Sequence, residues 1–393
     1  MANGEHFLEV AHWQHRKHGQ VVPGDVFLSR RIKEEDRVIS VLSDGLGSGI
    51  KASVLATLTA TMAAKFIENY TDVKQTAEVV LDTLPVCSVR KISYSTFTIV
   101  DIDTAGHTRV VEHGNPTYVL LRNGRALGVP KQNIKLDRWH DREVFFSEFN
   151  AEVGDYLLVF SDGVTQAAIG SRGMPMGWGV ENVVRFAGDL VRRKTEVSAN
   201  ELAQALADAA LALDDFVPKD DISAAAIYLR QPRRLLLLTG PPFARAKDHE
   251  LAEQLRTFPG RKVICGGTTA NIVGREWGRQ VVMALDPYAT AEPPISRLAG
   301  VDLITEGTLT LGRLADAMEK GFVRERAPRN AVGLLAAELL DSDLIQFVVG
   351  TRINEAHQDP DIPMELEIRR HLVARIARVL EQKYLKETHT KYI

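Results

Sequence analysis

The feature that most restricts the fold is a change of rhythm at Arg230-Gln231-Pro232-Arg233-Arg234, where a proline among charges separates two strongly apolar segments. Before it, short β-branched runs cluster and helical stretches come in pairs. After it, strand-like and helix-like stretches alternate. A chain of 393 residues exceeds what one hydrophobic core usually supports, so this break is expected to divide a domain of residues 1–231 from one of residues 232–393.

In the first part, Gly24–Ile32 and Arg37–Ser43 flank the polar turn Lys33-Glu34-Glu35-Asp36, which predicts a hairpin. Beyond Asp44-Gly45-Leu46-Gly47-Ser48-Gly49 the apolar spacing becomes helical over Ile50–Tyr70, and a second helix is expected over 73–84. Segments 92–102, 107–112, 117–122 and 142–147 are expected strands, divided by turns that include His113-Gly114-Asn115-Pro116 and Asn123-Gly124. Tyr156–Phe160 is a continuous apolar strand, two helices follow at 179–194 and 199–213, and Ile222–Leu229 is the last strand. Paired helices around antiparallel strands imply an α+β sandwich with helical outer layers.

In the second part, candidate strands at Leu235–Leu238, Lys262–Cys265, Val281–Leu285, Val301–Ile304 and Leu344–Val349 interleave with helical stretches at 247–257, 270–278, 311–320 and 331–340. Such alternation predicts an α/β, Rossmann-like domain with a mainly parallel sheet. A final helix over 364–386 aligns Ile368, Leu372, Ile376, Val379 and Leu380 on one side. That face either packs on its own domain or, as the sharper alternative, forms a homodimer contact.

Composition excludes several classes. With 45% hydrophobic and 25% charged residues and a net charge of -3, the chain is neither a disordered tail nor a basic nucleic-acid binder. Only two cysteines occur, Cys87 and Cys265, which excludes a secreted disulfide framework and fits a reducing compartment. Cys87-Ser88-Val89-Arg90 lacks the spacing of a cysteine phosphatase loop, so both thiols are expected to be inert. The first 20 residues are polar and rich in histidine, without an apolar core, and no stretch approaches ~18 uninterrupted apolar residues. The expectation is a cytoplasmic protein with no membrane partner, whose His6, His12, His15 and His18 lie on an exposed, mobile segment.

Four acidic positions stand where a strand ends or begins: Asp25 after Gly24, Asp44 before Gly45, Asp162 before Gly163, and Asp220-Asp221 before the last strand. Any one Asp-Gly pair is more often a turn than a ligand. Together they are what a hard-cation site needs, since carboxylates supply oxygen ligands and glycine lets a backbone carbonyl approach. Converging carboxylates repel one another unless cations neutralise them, and two cations sharing a carboxylate can activate water against a phosphate ester.

The blocks Gly24-Asp25, Ser43-Asp44-Gly45-Leu46-Gly47-Ser48-Gly49-Ile50-Lys51-Ala52, Phe160-Ser161-Asp162-Gly163-Val164 and Lys219-Asp220-Asp221-Ile222-Ser223 resemble, in that order, the metal-dependent PPM (type 2C) protein phosphatases, in particular the bacterial SpoIIE-like branch. The resemblance covers about residues 21–230 and implies an αββα sandwich binding two Mn²⁺ or Mg²⁺ ions at one sheet end. It implies that Asp44 bridges the ions, that the Gly45 carbonyl is a ligand, and that Asp25, Asp162 and Asp220 complete the set, with Asp221 an additional candidate. It further implies phosphoserine or phosphothreonine on a small regulatory protein, such as an anti-sigma-factor antagonist, as the substrate. Two departures stand out: Leu46 and Ser48 occupy a turn where many eukaryotic relatives carry histidine, and no arginine is assignable to phosphate clamping.

In the second domain Cys265-Gly266-Gly267-Thr268-Thr269-Ala270 joins a strand to a helix, and Gly266, Gly267, Thr268 and Thr269 form a candidate anion-binding loop. Its glycine pattern fits neither a Walker loop nor the dinucleotide fingerprint, although Asp286 stands about where a ribose-binding acid would. Thr305-Glu306-Gly307-Thr308 is a second loop at a strand's carboxyl end. The leading expectation is therefore a phosphoprotein phosphatase with a ligand-sensing or regulatory second domain. The alternatives are a phosphatase-like binding module without turnover, or nucleotide-linked activity in the second domain.

Overall fold

The computed structural model describes residues 6–69, 78–82, 95–135, 142–194, 196–283, 295–322, 328–352 and 362–393, the side chains of 362–366 excepted. The chain forms two compact units, Met1–Gln231 and Pro232–Ile393. Cys87, Asp286 and most of the helix expected over 73–84 lie outside the described residues; within that helix, residues 78–82 are helical.

In the first unit the strands are β1 Phe7–His15, β2 Val26–Ile32, β3 Arg37–Gly45, β4 Ser95–Asp103, β5 His107–His113, β6 Val119–Arg122, β7 Arg125–Leu127, β8 Gln132–Ile134, β9 Val144–Asn150, β10 Tyr156–Phe160 and β11 Ile222–Arg230. They form two antiparallel sheets, β1-β11-β10-β6-β7 and β2-β3-β4-β5-β9-β8. Leu8, Leu42, Val100, Val110, Leu157, Val159, Ala225 and Ile227 fill the space between the sheets. On the outer face of the six-stranded sheet, Ala60, Ala63, Ala64 and Ile67 of the helix Ile50–Asn69 pack against Ile39, Val41 and Ile99. The helices Gly179–Arg193 and Ala199–Leu213 cover the other sheet, so the layers run α-β-β-α. Ala199–Leu213 begins at a capping box in which Ser198 and Glu201 each bond the other's backbone N–H.

The helix Ile50–Asn69 is long and apolar enough to cross a membrane by length and composition. Its alanine-rich stripe is instead the inner face of a layer, since Ala52, Ala56, Ala60 and Ala63 are fully buried.

One expectation is corrected. The histidine-bearing N-terminus is not a mobile segment: β1 pairs antiparallel with β11 from Phe7↔Arg230 to His15↔Ile222. The strand's side chains are divided between two faces, with Leu8 and Val10 packed against the core between the sheets and Ala11 and Trp13 against the helical layer. His12 stacks on Phe27 with ring centroids 4.9 Å apart, and burial lowers its pKa to about 4.

The second unit holds β12 Arg234–Thr239, β13 Arg261–Cys265, β14 Val282–Met283, β15 Ile295–Arg297, β16 Leu303–Thr305, β17 Leu344–Val349 and β18 Glu387–Tyr392, in the sheet order β14-β15-β16-β13-β12-β17-β18. The run β16-β13-β12-β17-β18 is parallel, while β14 and β15 add an antiparallel edge. The sheet is therefore mixed: the segment near 281 belongs to the antiparallel edge, and β18 extends the chain beyond its last helix. Leu235 and Leu237 face a core shared with Leu311, Leu314, Leu335 and Ile376, whereas Leu236 and Leu238 face Leu251, Leu255 and Val273. Both faces are thus covered by helices, as a parallel sheet requires. On the terminal helix Ile362–Tyr384, Leu372, Ile376, Val379 and Leu380 are buried in this unit's own core, and Ile368 stays exposed. That face packs at home, the plainer of its two expected uses.

Candidate metal centre

Antiparallel pairing carries four remote aspartates toward one end of the sandwich. Asp25 immediately precedes β2, and Asp44 is the penultimate residue of β3, paired with Thr96 of β4. Asp162 opens the single helical turn Asp162–Thr165 directly after β10, and Asp220 stands just before β11. Because β10 and β11 are hydrogen-bonded neighbours, their ends bring Asp162 and Asp220 side by side.

Mutual electrostatics show how near these groups are. Burial raises the Asp25 pKa well above the ordinary carboxylate range, Asp44 and Asp221 push it further, and the hydroxyls of Ser161 and Ser223 oppose the rise. Asp44 is pushed up to about 7, first by burial and then by Asp162 and Asp220, against a hydrogen bond with Asp25. Asp162 is raised by burial and by Asp220, with the Gly163 N–H and Lys17 acting the other way. Asp25, Asp44, Asp162 and Asp220 therefore form one repelling cluster.

Glycines make the crowding possible. A Cβ on Gly24 would lie 2.9 Å from the Ala52 Cβ and 3.7 Å from the Gly45 carbonyl oxygen. On Gly45 it would meet the Ala52 carbonyl oxygen at 2.2 Å, and on Gly163 the Asp221 carbonyl oxygen at 2.1 Å. The approaches at 2.9, 2.2 and 2.1 Å are closer than real Cβ atoms come, whereas 3.7 Å is ordinary contact.

Asp221 has a different occupation from the other four. It is buried, its Oδ1 accepts the backbone N–H of Lys17 at 2.8 Å, and its Oδ2 accepts that of Gly24 at 2.7 Å. Both oxygens thus hold the loop that leads to Asp25. Gln14 adds a second tie, donating from Nε2 to the Asp25 carbonyl at 3.0 Å and to Ser223 Oγ at 2.9 Å.

Sequence reasoning missed two contributors. The Lys17 ammonium lies 3.5 Å from Asp220 Oδ1 and brings a cation to the cluster. Asp214, also buried, accepts the N–H of Ala168 at 2.8 Å and of Lys219 at 3.1 Å, tying the turn after Asp162 to the residue before Asp220. No local motif announces either residue; β1 pairing and the C-terminus of Ala199–Leu213 deliver them.

The donor set is chemically suited to a hard divalent cation. Its side-chain donors are all carboxylate oxygens, and Asp25 Oδ2 is buried with no hydrogen-bond partner among the described residues. Among those residues no group of three or more His, Cys, Asp or Glu side chains stands gathered around one ion position.

Elsewhere, Gly266 to Thr269 form the N-terminus of the helix Gly267–Trp277, which starts three residues earlier than its periodicity predicts. Cys265 is buried, and burial pushes its thiol up to about 12, consistent with an inert residue.

The family model of stage II sporulation protein E (SpoIIE) matches residues 34–230. Among solved structures, the phosphatase domain of SpoIIE from Bacillus subtilis is similar at 17% identity and a TM-score of 0.44, over 58% of this chain and 94% of that one. A longer fragment with part of the regulatory domain gives 18% identity and a TM-score of 0.48, over 57% and 64%. The RsbU and RsbW domains of a Mycobacterium tuberculosis protein give 18% identity and a TM-score of 0.44, over 75% and 80%. No curated protein matches the sequence significantly.

Proposed function

The chain belongs to the SpoIIE family, and from that premise we propose that its first unit is a divalent-metal-dependent phosphatase of phosphoserine or phosphothreonine on a regulatory protein. The observation that carries this reading is the electrostatic cluster of Asp25, Asp44, Asp162 and Asp220, drawn from four separate segments. These four, with the Gly45 carbonyl, would hold two Mn²⁺ or Mg²⁺ ions, and Asp221 would hold the loop that presents Asp25. When bound, such ions supply positive charge and Lewis acidity at a phosphoryl group.

The chain's own residues do the rest. Burial and neighbouring carboxylates make Asp25, Asp44 and Asp162 poor anions without a counter-charge, so a cation supplied there would compete with their protons. Lys17 contributes an ammonium beside Asp220, a charge to which a phosphate dianion is drawn. The loop after Asp44 offers Leu46 and Ser48 rather than histidine, so that loop supplies no histidine as general acid for the leaving oxygen. The second unit is assigned a regulatory or ligand-sensing role.

The test is hydrolysis of p-nitrophenyl phosphate and of a serine-phosphorylated protein by the full chain. Turnover should require Mn²⁺ or Mg²⁺, vanish in EDTA, and fall by about 100-fold or more in Asp44→Asn and Asp162→Asn. Unchanged turnover in both variants removes the reading. Mn²⁺ binding without any turnover would favour a binding module instead.

A further inference from the structure

In the second unit, β13 and β16 are parallel neighbours ending level at Cys265 and Thr305, and each runs through a glycine turn into a helix, Gly267–Trp277 and Thr308–Glu319. The two turns touch through their glycines: a Cβ on Gly307 would lie 3.4 Å from the Gly266 Cα. No side chain therefore stands between the helix ends on that line. Gly266 itself has φ 133°, a conformation in which an L side chain is strained.

The two helix ends are served differently. The Glu306 carboxylate accepts the N–H groups of Leu309 and Thr310 at 3.1 and 3.2 Å, so Thr308–Glu319 carries its own anion. Gly267–Trp277 has no side-chain cap, and Gly267 and Thr268 are exposed. A bare helix end is ordinary; what lies beneath this one is not. Thr269 is 1% exposed, and its Oγ1 has no hydrogen-bond partner among the described residues. It points back along the helix, 3.6 Å from where a Cβ on Gly266 would be. Thr310, fully buried in the first turn of the neighbouring helix, has an Oγ1 in the same condition. A buried hydroxyl without a partner is unfavourable, and a ligand oxygen that bonds it removes the penalty.

We propose that the second unit binds the phosphate group of a small molecule at the N-terminus of Gly267–Trp277, with the backbone N–H groups of Gly267 and Thr268 and the Thr269 hydroxyl as donors. A tetrahedral anion has enough acceptor oxygens to meet all three, and the helix dipole favours its charge. The site is built from residues of the second unit alone and holds whether or not the first unit is a phosphatase.

The test uses the ¹⁵N-labelled full chain in EDTA, which keeps cations away from the aspartates, with inorganic phosphate as the probe. The amide signals of Gly267, Thr268 and Thr269 should shift and saturate. Thr269→Val should weaken binding by about tenfold, the loss of one hydrogen bond to a charged group, while Thr269→Ser restores it. Titration with adenosine monophosphate and glucose 6-phosphate separates an esterified ligand from the free ion, and saturable binding of either or of phosphate alone supports the site. Absence of saturable shifts at these amides with all three probes overturns it, as does a folded Thr269→Val variant with wild-type affinity.

Discussion

Asp221 Oδ2 accepts the backbone N–H of Gly24 at 2.7 Å, a bond between residues 197 positions apart. It fixes the approach to Asp25 from the entrance to β11, while Asp221 Oδ1 holds the Lys17 N–H at 2.8 Å. Replacing this buried carboxylate orphans two backbone donors. Asp221→Ala is expected to lose about 3 kcal/mol of stability in urea unfolding, and to weaken Mn²⁺ binding even where the fold survives. A loss below about 0.5 kcal/mol would show that these bonds do not hold the loop.

Asp214 plays the corresponding part between Asp162 and Asp220. Ala168, Asp215 and Phe216 in the two tied turns have φ of 62°, 53° and 61°, left-handed conformations that non-glycine residues adopt only under constraint. Asp214→Ala should release that constraint. Amide exchange at Ala168 and Lys219 should rise together, with a stability loss of about 1–3 kcal/mol. Exchange unchanged at both amides would contradict the tie.

The pH response without added metal follows from Asp25 and Asp44. Each carboxyl has a folded pKa raised above its ordinary value of 3.8, Asp44 to about 7. The native state therefore holds protons that the unfolded chain releases. The stability they contribute is fully present below about pH 4 and is lost as pH rises through 7, by about 1.4 kcal/mol per pH unit for each group titrating in that window. In EDTA, the thermal midpoint should fall from pH 5 to pH 7. Asp44→Asn should flatten the fall, and millimolar Mn²⁺ should reverse it. A midpoint insensitive to both pH and Mn²⁺ would remove the cluster as a cation site.

Gly45→Ala and Gly163→Ala place a methyl 2.2 and 2.1 Å from a backbone carbonyl oxygen. Backbone cannot yield as a flexible side chain does, so each variant should lose at least about 2 kcal/mol. Gly47→Ala, where nothing lies within 4 Å but φ is 106°, tests conformation without crowding and should lose less than either. Equal losses in all three would mean that close approach is not what those two glycines provide.

Much of the layering was legible because burial has a local signature. The alanine stripe from Ala52 to Ala64, the hairpin around Lys33–Glu35 and the apolar run Tyr156–Phe160 each follow from spacing alone. β1 was not legible, because Glu9 and His12 interrupt its alternation and only pairing with β11 shows that the segment is a strand of the sheet. β14 falls within the strand expected over Val281–Leu285, but its antiparallel pairing was not legible and β15 was not expected at all: at two and three residues they have too little pattern.

The sequence by itself determined which aspartates lie at strand ends and which glycines stand beside them, since turn chemistry and periodicity are properties of neighbours in the chain. Only the tertiary structure decided that Asp44 should face Asp162 and Asp220, that Asp221 should hold a loop, and that Lys17 and Asp214 belong to the same site. Those relations depend on sheet register and on charges brought together in a buried place, and neither is encoded within any one stretch of the chain.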